Sequence, residues 1–407
     1  MDVCIRPALL RGEITPPPSK SQAHRLLIAA ALADGVSTVR GAALSDDIQA
    51  TLRCMAALGA EWEQTAPGAL RVRGARGPVP GGPLPAFDCG ESGSTLRFFL
   101  PLALALAGGG AFTGRGRLMD RPQRPYFELF DEKGVAYRQS AGVLTVEGRL
   151  APGEYRLRGD VSSQFFTGLL LALPLLDGPS MLVSTTALES ADYVAMTLEV
   201  LKTAGVAVRA DADGRRFQIP AARPRTFDAV VEVDWSQAAF WYAAALQGGE
   251  VRVCGLNERS AQGDRVVAGY FRQMQSPGDL EIDVSGCPDL VPPLAVMAAA
   301  RRGTVRLANA ARLRLKESDR LRTTAAMVNA LGGQAEEGAD FLTVHGVPQL
   351  SGGTVDGAND HRIVMAAAIA AARCAGPVTI LGAEAVRKSY PTFFEDYQAL
   401  GGDAVVL

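Results

Sequence analysis

The stretch Thr197–Arg209 reads TLEVLKTAGVAVR: a helical segment closed by Gly205, then an alternating run that reads as a strand. The same sentence recurs along the chain. It appears as Thr51–Glu63 (TLRCMAALGAEWE), Tyr126–Arg138 (YFELFDEKGVAYR), Thr323–Glu336 (TTAAMVNALGGQAE) and Thr392–Val406 (TFFEDYQALGGDAVV). A weaker copy, Val266–Ile282, has Ser276-Pro277-Gly278 in place of the plain glycine stop. The stops fall roughly 55–75 residues apart, longer than solenoid periods, so each copy reads as a small α/β subdomain rather than a stacked repeat. Six copies make two groups of three.

Between the third and fourth copies, Phe227–Asp234 (FDAVVEVD) is strand-like and leads through Trp235-Ser236-Gln237 into another apolar helix. A domain crossing is expected there. Pro16-Pro17-Pro18 stiffens a second crossing, which assigns the N-terminal strand to the C-terminal half. The expected domains are therefore residues 1–14 with 233–407, and residues 15–232. A chain of 407 residues agrees with two domains of about 200 residues each.

A formal charge of −2 gives no general attraction to nucleic acid, so any anion site must be local. Six cysteines (Cys4, Cys54, Cys89, Cys254, Cys287, Cys374) show no CxxC pair, and three histidines make no zinc set. They read as reduced thiols of a cytoplasmic protein. Met1–Arg6 reads as strand, without a targeting pattern. The longest alanine-rich tracts, Leu294–Ala300 and Val364–Ala372, are too short to span a bilayer and are read as core helices.

Charge collects at helix starts. In Leu315–Arg322 (LKESDRLR), Ser318 is a preferred N-cap residue, Asp319 suits the first turn, and Leu321, Ala325, Val328 and Leu331 continue at helical spacing to Gly332-Gly333. Lys316 and Arg320 flank that start, where the helix dipole already disfavours cations, so an anion is expected between them. Pro18–Arg25 (PSKSQAHR) repeats the arrangement with Lys20, Ser21 and Arg25. In Gly90–Arg97 (GESGSTLR), Gly93 permits close backbone approach and the following amides can face an anion. Asp160–Phe165 offers the hydroxyls of Ser162 and Ser163 with the Gln164 amide, and Asn359–Arg362 places Arg362 early in an alanine-rich helix. The loops Arg117–Arg124 (RLMDRPQR) and Val386–Tyr390 (VRKSY) add further cations. If starts from both domains face one cleft, their fields add, and the ligands carry several negative charges.

Acid–base candidates are fewer. Asp289, in Cys287–Pro293 (CPDLVPP), is either a helix cap or a base. Glu317 is either a partner for Lys316 or a proton-transfer group. Cations lower a carboxyl pKa and burial raises it, and the sequence leaves that balance open.

These residues fall into motifs that resemble the 5-enolpyruvylshikimate-3-phosphate synthase family over nearly the whole chain: Pro18–Ser21 with Arg25, Glu91–Arg97, Asp120-Arg121-Pro122, Val161–Phe165, Leu315–Arg320, Asn359–Arg362 and Lys388–Pro391. The resemblance implies two inside-out α/β barrel domains, each of three βαβαββ units, with the active site in the interdomain cleft. It implies a carboxyvinyl transferase of the shikimate pathway that joins phosphoenolpyruvate to the 5-hydroxyl of shikimate 3-phosphate and releases phosphate. Carried over by motif, Lys20, Ser21, Arg25, Ser162, Ser163, Ser190, Asp289 and Lys316 would bind shikimate 3-phosphate. Lys20, Gly93, Arg121, Gln164, Arg320, Arg362 and Lys388 would bind phosphoenolpyruvate. Asp289 would be the base with Lys316 beside it, and Glu317, Lys20 and Lys388 would share proton transfer at the vinyl carbon. No metal or organic cofactor, nucleic acid or membrane is implied, and a monomer is expected.

Two positions depart from the family pattern: Glu91 stands where the glycine loop commonly has Asn, and Arg312 replaces a second Asn. Gly93, kept where a bulkier side chain would crowd an analogue of phosphoenolpyruvate, implies inhibition by glyphosate. Two competing readings are weighed. The UDP-N-acetylglucosamine enolpyruvyl transferase of wall synthesis uses a loop cysteine, which Gly114–Arg124 lacks. A non-catalytic anion-binding protein of the same fold would not require Asp289, Lys316, Glu317 and Lys388 together.

Overall fold

The computed structural model describes residues 1–75 and 82–407. The chain forms two compact units, one of Met1–Pro17 with Val233–Leu407, the other of Pro18–Glu232. Each has its own apolar core. The Pro18–Glu232 unit holds α1 (Lys20–Leu32), α2 (Asp46–Ala57), α3 (Gly93–Ala107), α4 (Arg124–Lys133), α5 (Ser163–Ala172) and α6 (Ala191–Thr203). The other holds α7 (Trp235–Leu246), α8 (Val267–Met274), α9 (Val291–Ala299), α10 (Arg320–Ala330), α11 (His361–Ala371) and α12 (Phe393–Ala399).

Odd and even helices differ in kind. Every residue of α9 and α11 is buried, as is nearly all of α5, because Ala, Leu, Val and Phe occupy all faces. In the even helices, polar residues keep one face in water; in α4 only Pro125, Tyr126, Leu129 and Phe130 are buried. The helices thus form the interior of each unit and the sheets its outside. Strand Glu61–Ala66 is exposed at every residue, and strand Ala69–Arg73 alternates, burying Leu70 and Val72.

Among the described residues, five of the six sheets share one four-stranded order. In the clearest case, Ala86–Asp88 runs parallel to Gly109–Thr113, which pairs antiparallel with Val143–Glu147, which pairs with Ala136–Ser140. In chain order that is βαβαββ, with α3 and α4 as the crossovers. Two sheets borrow a strand from elsewhere in the sequence: Asp228–Val230 pairs parallel to Val36–Arg40, and the N-terminal Val3–Arg6 sits between Val378–Leu381 and Asp403–Val406. These borrowed strands close the units.

Two sequence expectations need correction. The weak copy at Val266–Ile282 is not a full unit: after α8 the chain runs to Leu280–Asp283, which pairs parallel with Thr304–Ala308 and opens the next sheet. Its own sheet keeps only Arg11–Ile14 and Glu250–Val253. Without a plain glycine stop, no hairpin follows α8. In the opening stretch, strand pairing is confined to Arg209–Ala210, because Val206 is drawn into the core and its amide bonds back to Leu201 O at 2.8 Å.

Candidate active site

The motif residues gather at or just before the N-terminal ends of helices, in one set on each unit, with Arg121 and Lys388 in the segments leading to α4 and α12. In the unit containing α7–α12, the centre is Asp289. It lies in a turn just before α9 and caps no backbone amide. Its Oδ1 instead accepts from Arg320 Nη1 at 2.8 Å and Lys316 Nζ at 3.2 Å, and its Oδ2 from Arg362 Nη2 at 3.1 Å. Arg362 also donates to the Asp289 carbonyl at 3.1 Å. Burial pushes the Asp289 carboxyl up, but Arg362, Lys316 and Arg320 outweigh it and hold the group well below the usual carboxylate range. Burial lowers the Lys316 ammonium, only partly offset by Asp289.

Arg320 is the hub of this set. Only 1% exposed, it donates to Asp289, to Glu317 Oε2 at 2.6 Å and to Asp360 Oδ2 at 2.9 Å. Asp360 is fully buried and also accepts from Ser318 Oγ at 2.9 Å and the Arg362 amide at 3.0 Å. The cap of α10 is therefore Asp319, which accepts from the Arg322 amide, and not Ser318, whose hydroxyl is committed to Asp360. Lys388 donates to the Asn359 carbonyl at 2.6 Å. Ala358 and Asn359 both hold left-handed backbone (φ 51° and 50°), conformations that concentrate at functional turns. Together these are four cations, Lys316, Arg320, Arg362 and Lys388, around three carboxylates, Asp289, Glu317 and Asp360.

In the unit containing α1–α6, Lys20 begins α1 and pairs with Asp47 of α2 at 2.6 Å. Ser21 is half-buried. Arg25 is 2% exposed and spends four donors internally: on Thr197 Oγ1 (2.8 Å), Ser21 O (2.6 Å), Thr167 Oγ1 (3.1 Å) and Tyr193 O (3.1 Å). Burial brings its guanidinium down to about 10, still charged at neutral pH. Gly93 opens α3, capped by Ser92, and a Cβ there would lie 2.5 Å from Arg121 Nη1. The Arg121 fork therefore rests on a backbone that only glycine leaves open. Gln164 accepts from Arg97 Nη1 at 2.7 Å and donates to Ser94 Oγ at 2.9 Å. Ser162 caps α5 and Ser163 is its first residue, while Ser190 precedes α6 in a left-handed conformation (φ 51°). The bond from the Glu189 amide to Gly159 O, 3.1 Å, sets the Ser190 turn beside the loop leading into α5.

The EPSP synthase profile, 3-phosphoshikimate 1-carboxyvinyltransferase, matches residues 6–397. The chain belongs to the EPSP synthase family. It is 41% identical to the 3-phosphoshikimate 1-carboxyvinyltransferase of Clostridium kluyveri over 98% of this chain and 97% of that protein. The enzyme of the same name from Clostridium acetobutylicum is 42% identical with the same coverage. The fold matches EPSP synthase from Acinetobacter baumannii with a TM-score of 0.79, over all of both chains, at 23% identity. It also matches the enolpyruvyl transferase NikO from Streptomyces tendae, with a TM-score of 0.79 over 99% of this chain and 98% of that one, at 18% identity.

The two departures from the EPSP synthase pattern have defined surroundings. The Glu91 carboxylate reaches Gly116, where a Cβ would lie 2.7 Å from its Oε2, and Arg312 donates to Ser285 O at 2.5 Å. Sequence reasoning missed Asp47, Arg97 and Asp360 as partners of site residues. Asp360 had a readable signal, a carboxylate at the start of the Asn359–Arg362 helix; the other two did not. Among the described residues, no three His, Cys, Asp or Glu side chains are placed to hold a metal, and no helix is long and apolar enough to cross a membrane.

Proposed function

We propose that this chain transfers the enolpyruvyl group of phosphoenolpyruvate to the 5-hydroxyl of shikimate 3-phosphate, with release of phosphate. The observation that supports this most is Asp289, a carboxylate at the start of a buried helix that serves cations instead of capping the helix. A purely structural carboxylate there would accept the helix amides.

In this reading Ser162, Ser163, Ser190 and Lys20 hold the phosphate of shikimate 3-phosphate. Ser21 and the one Arg25 N–H left over take its carboxylate. Lys20, Arg121, Arg320, Arg362 and Lys388 surround phosphoenolpyruvate, with Gly93 letting the backbone approach it and Gln164 adding an amide. Asp289 accepts the 5-hydroxyl proton as that oxygen bonds to C2 of phosphoenolpyruvate. C3 gains a proton in the same addition, from Glu317, Lys20 or Lys388. Loss of phosphate from C2 and of a proton from C3 then restores the vinyl group. Lys316 steadies charge on the attacking oxygen.

The cations that hold Asp289 ionised are those assigned to phosphoenolpyruvate. When Arg320 and Arg362 turn their forks to the incoming carboxylate and phosphate, their hold on Asp289 weakens and its basicity rises. The base is thus strengthened when the electrophile arrives. The functional form is read as a cytoplasmic monomer that needs no resident cofactor.

The experiment is phosphate release from phosphoenolpyruvate with either shikimate 3-phosphate or UDP-N-acetylglucosamine as acceptor. Release with shikimate 3-phosphate and not with the UDP-sugar is expected. Release with the UDP-sugar alone would move the assignment to the wall-synthesis transferase. Release with neither would leave an anion-binding protein.

A further inference from the structure

Beneath the Gly93 loop lies a chain of hydrogen bonds that the reaction itself does not use. His24 Nδ1 of α1 lies 2.7 Å from Thr51 Oγ1 of α2, which lies 2.8 Å from Thr95 Oγ1 of α3, which donates to Ser92 Oγ at 2.7 Å. His24 is 1% exposed and the other three are fully buried. Ser92 Oγ also accepts from the Thr95 amide at 3.2 Å, which makes it the cap of α3.

The direction of every bond follows from the last. Thr95 has one hydroxyl hydrogen and gives it to Ser92, so Thr51 must donate to Thr95. Thr51 then has none left, so His24 must donate to it from Nδ1. His24 is therefore the Nδ1–H tautomer, and its Nε2 is a bare acceptor, buried and without a partner among the described residues. Burial, with Lys20 and Arg25 nearby, also keeps the imidazole neutral. The edge of the ring against Phe98 of α3, centroids 6.4 Å apart, fixes its plane. Leaving Nε2 bare is a cost that a merely space-filling residue would avoid.

We propose that His24, Thr51 and Thr95 are positioning residues for phosphoenolpyruvate: their one-directional relay locks the Ser92 cap and thereby the first turn of α3, where Gly93 meets the Arg121 fork. This rests on the assignment of Gly93 and Arg121 to that substrate. Three helices are pinned to one hydroxyl, so the Gly93 amide and the Arg121 guanidinium keep a fixed spacing before the anion arrives.

Thr51→Val keeps the shape and cuts the relay at its centre. It is expected to raise KM for phosphoenolpyruvate roughly 3- to 10-fold, the worth of one buried hydrogen bond, with kcat and KM for shikimate 3-phosphate within about twofold of the parent. Thr51→Ser restores the hydroxyl and should restore KM. His24→Asn, which keeps a nitrogen donor at the δ position, should stay near the parent, whereas His24→Leu should match Thr51→Val. Thr95→Val is the second cut should Thr51→Val fail to fold. An inactive parent chain overturns the functional reading, and this inference with it. An active parent whose KM for phosphoenolpyruvate is unchanged in both valine variants overturns this inference alone, as does an equal rise in both KM values.

Discussion

Asp289→Asn is expected to lower turnover by about 10²- to 10⁴-fold, the usual contribution of a positioned general base. Asparagine keeps the size of the side chain and can still accept from Lys316, Arg320 or Arg362, but it cannot take the 5-hydroxyl proton. Binding should suffer less than kcat, because the three cations lose their internal competitor for substrate anions. Stability should fall by only about 1–3 kcal/mol, as one set of charge-assisted bonds is weakened while Arg320 keeps Glu317 and Asp360. The pH dependence follows from the sign of the shift. A carboxyl held below its ordinary value contributes stability above the unfolded pKa, about 3.9, and loses it as pH falls through the folded value. The parent chain should therefore lose stability below about pH 4 more steeply than Asp289→Asn. Steady-state kinetics and urea unfolding at several pH values check both statements; turnover within threefold of the parent would remove Asp289 from the base role.

Arg320→Met is expected to produce the largest loss of stability of any single change at this site, about 3–5 kcal/mol. The guanidinium is 1% exposed and answers three carboxylates, one of which, Asp360, has no contact with water. Methionine fills the volume but leaves Asp360 with Ser318 and the Arg362 amide as its hydrogen-bond donors among the described residues, so a buried charge stays uncompensated or must take up a proton. In a unit of this size the loss corresponds to a fall of roughly 6–20 °C in Tm. Arg320→Lys should recover only part of it, since one ammonium cannot reproduce a fork shared by three partners. Calorimetry or thermal unfolding followed by circular dichroism reads the effect. A fall below 2 °C in Arg320→Met would show that the three bonds contribute little.

What the sequence disclosed and what it withheld divide along physical lines. Helix starts were legible because their chemistry is local: Pro18–Arg25, Gly90–Arg97 and Asp160–Phe165 were read as helix starts, and α1, α3 and α5 begin within them, capped by Ser19, Ser92 and Ser162. The glycine-stopped helices were legible for the same reason, five of them followed by a strand as expected, four in a hairpin and Asp403–Val406 against the N-terminal strand. The sixth was not, because a missing hairpin is a property of which strand pairs with which, and Leu280–Asp283 is equally a strand in either sheet. Ser318 was read as a cap because it is one by composition; only the fold brings Asp360, 42 positions away, to claim its hydroxyl. Arg25 was read as facing substrate, while Thr167 and Thr197, 142 and 172 positions distant, take donors that no local pattern reveals. The open balance at Asp289 needed the structure as well, since its sign depends on three cations from two other helix starts.

The central claim is that these residues carry out addition to phosphoenolpyruvate followed by elimination, with shikimate 3-phosphate as acceptor. The most direct measurement is the reaction run in deuterium oxide with both substrates, the product being examined by proton and phosphorus NMR. Because C3 gains a proton in the addition and loses one in the elimination, the account predicts a product that keeps the sugar phosphate, carries deuterium at its vinyl carbon and appears with one equivalent of free phosphate. A product whose vinyl group holds no deuterium, or no product at all, would contradict it.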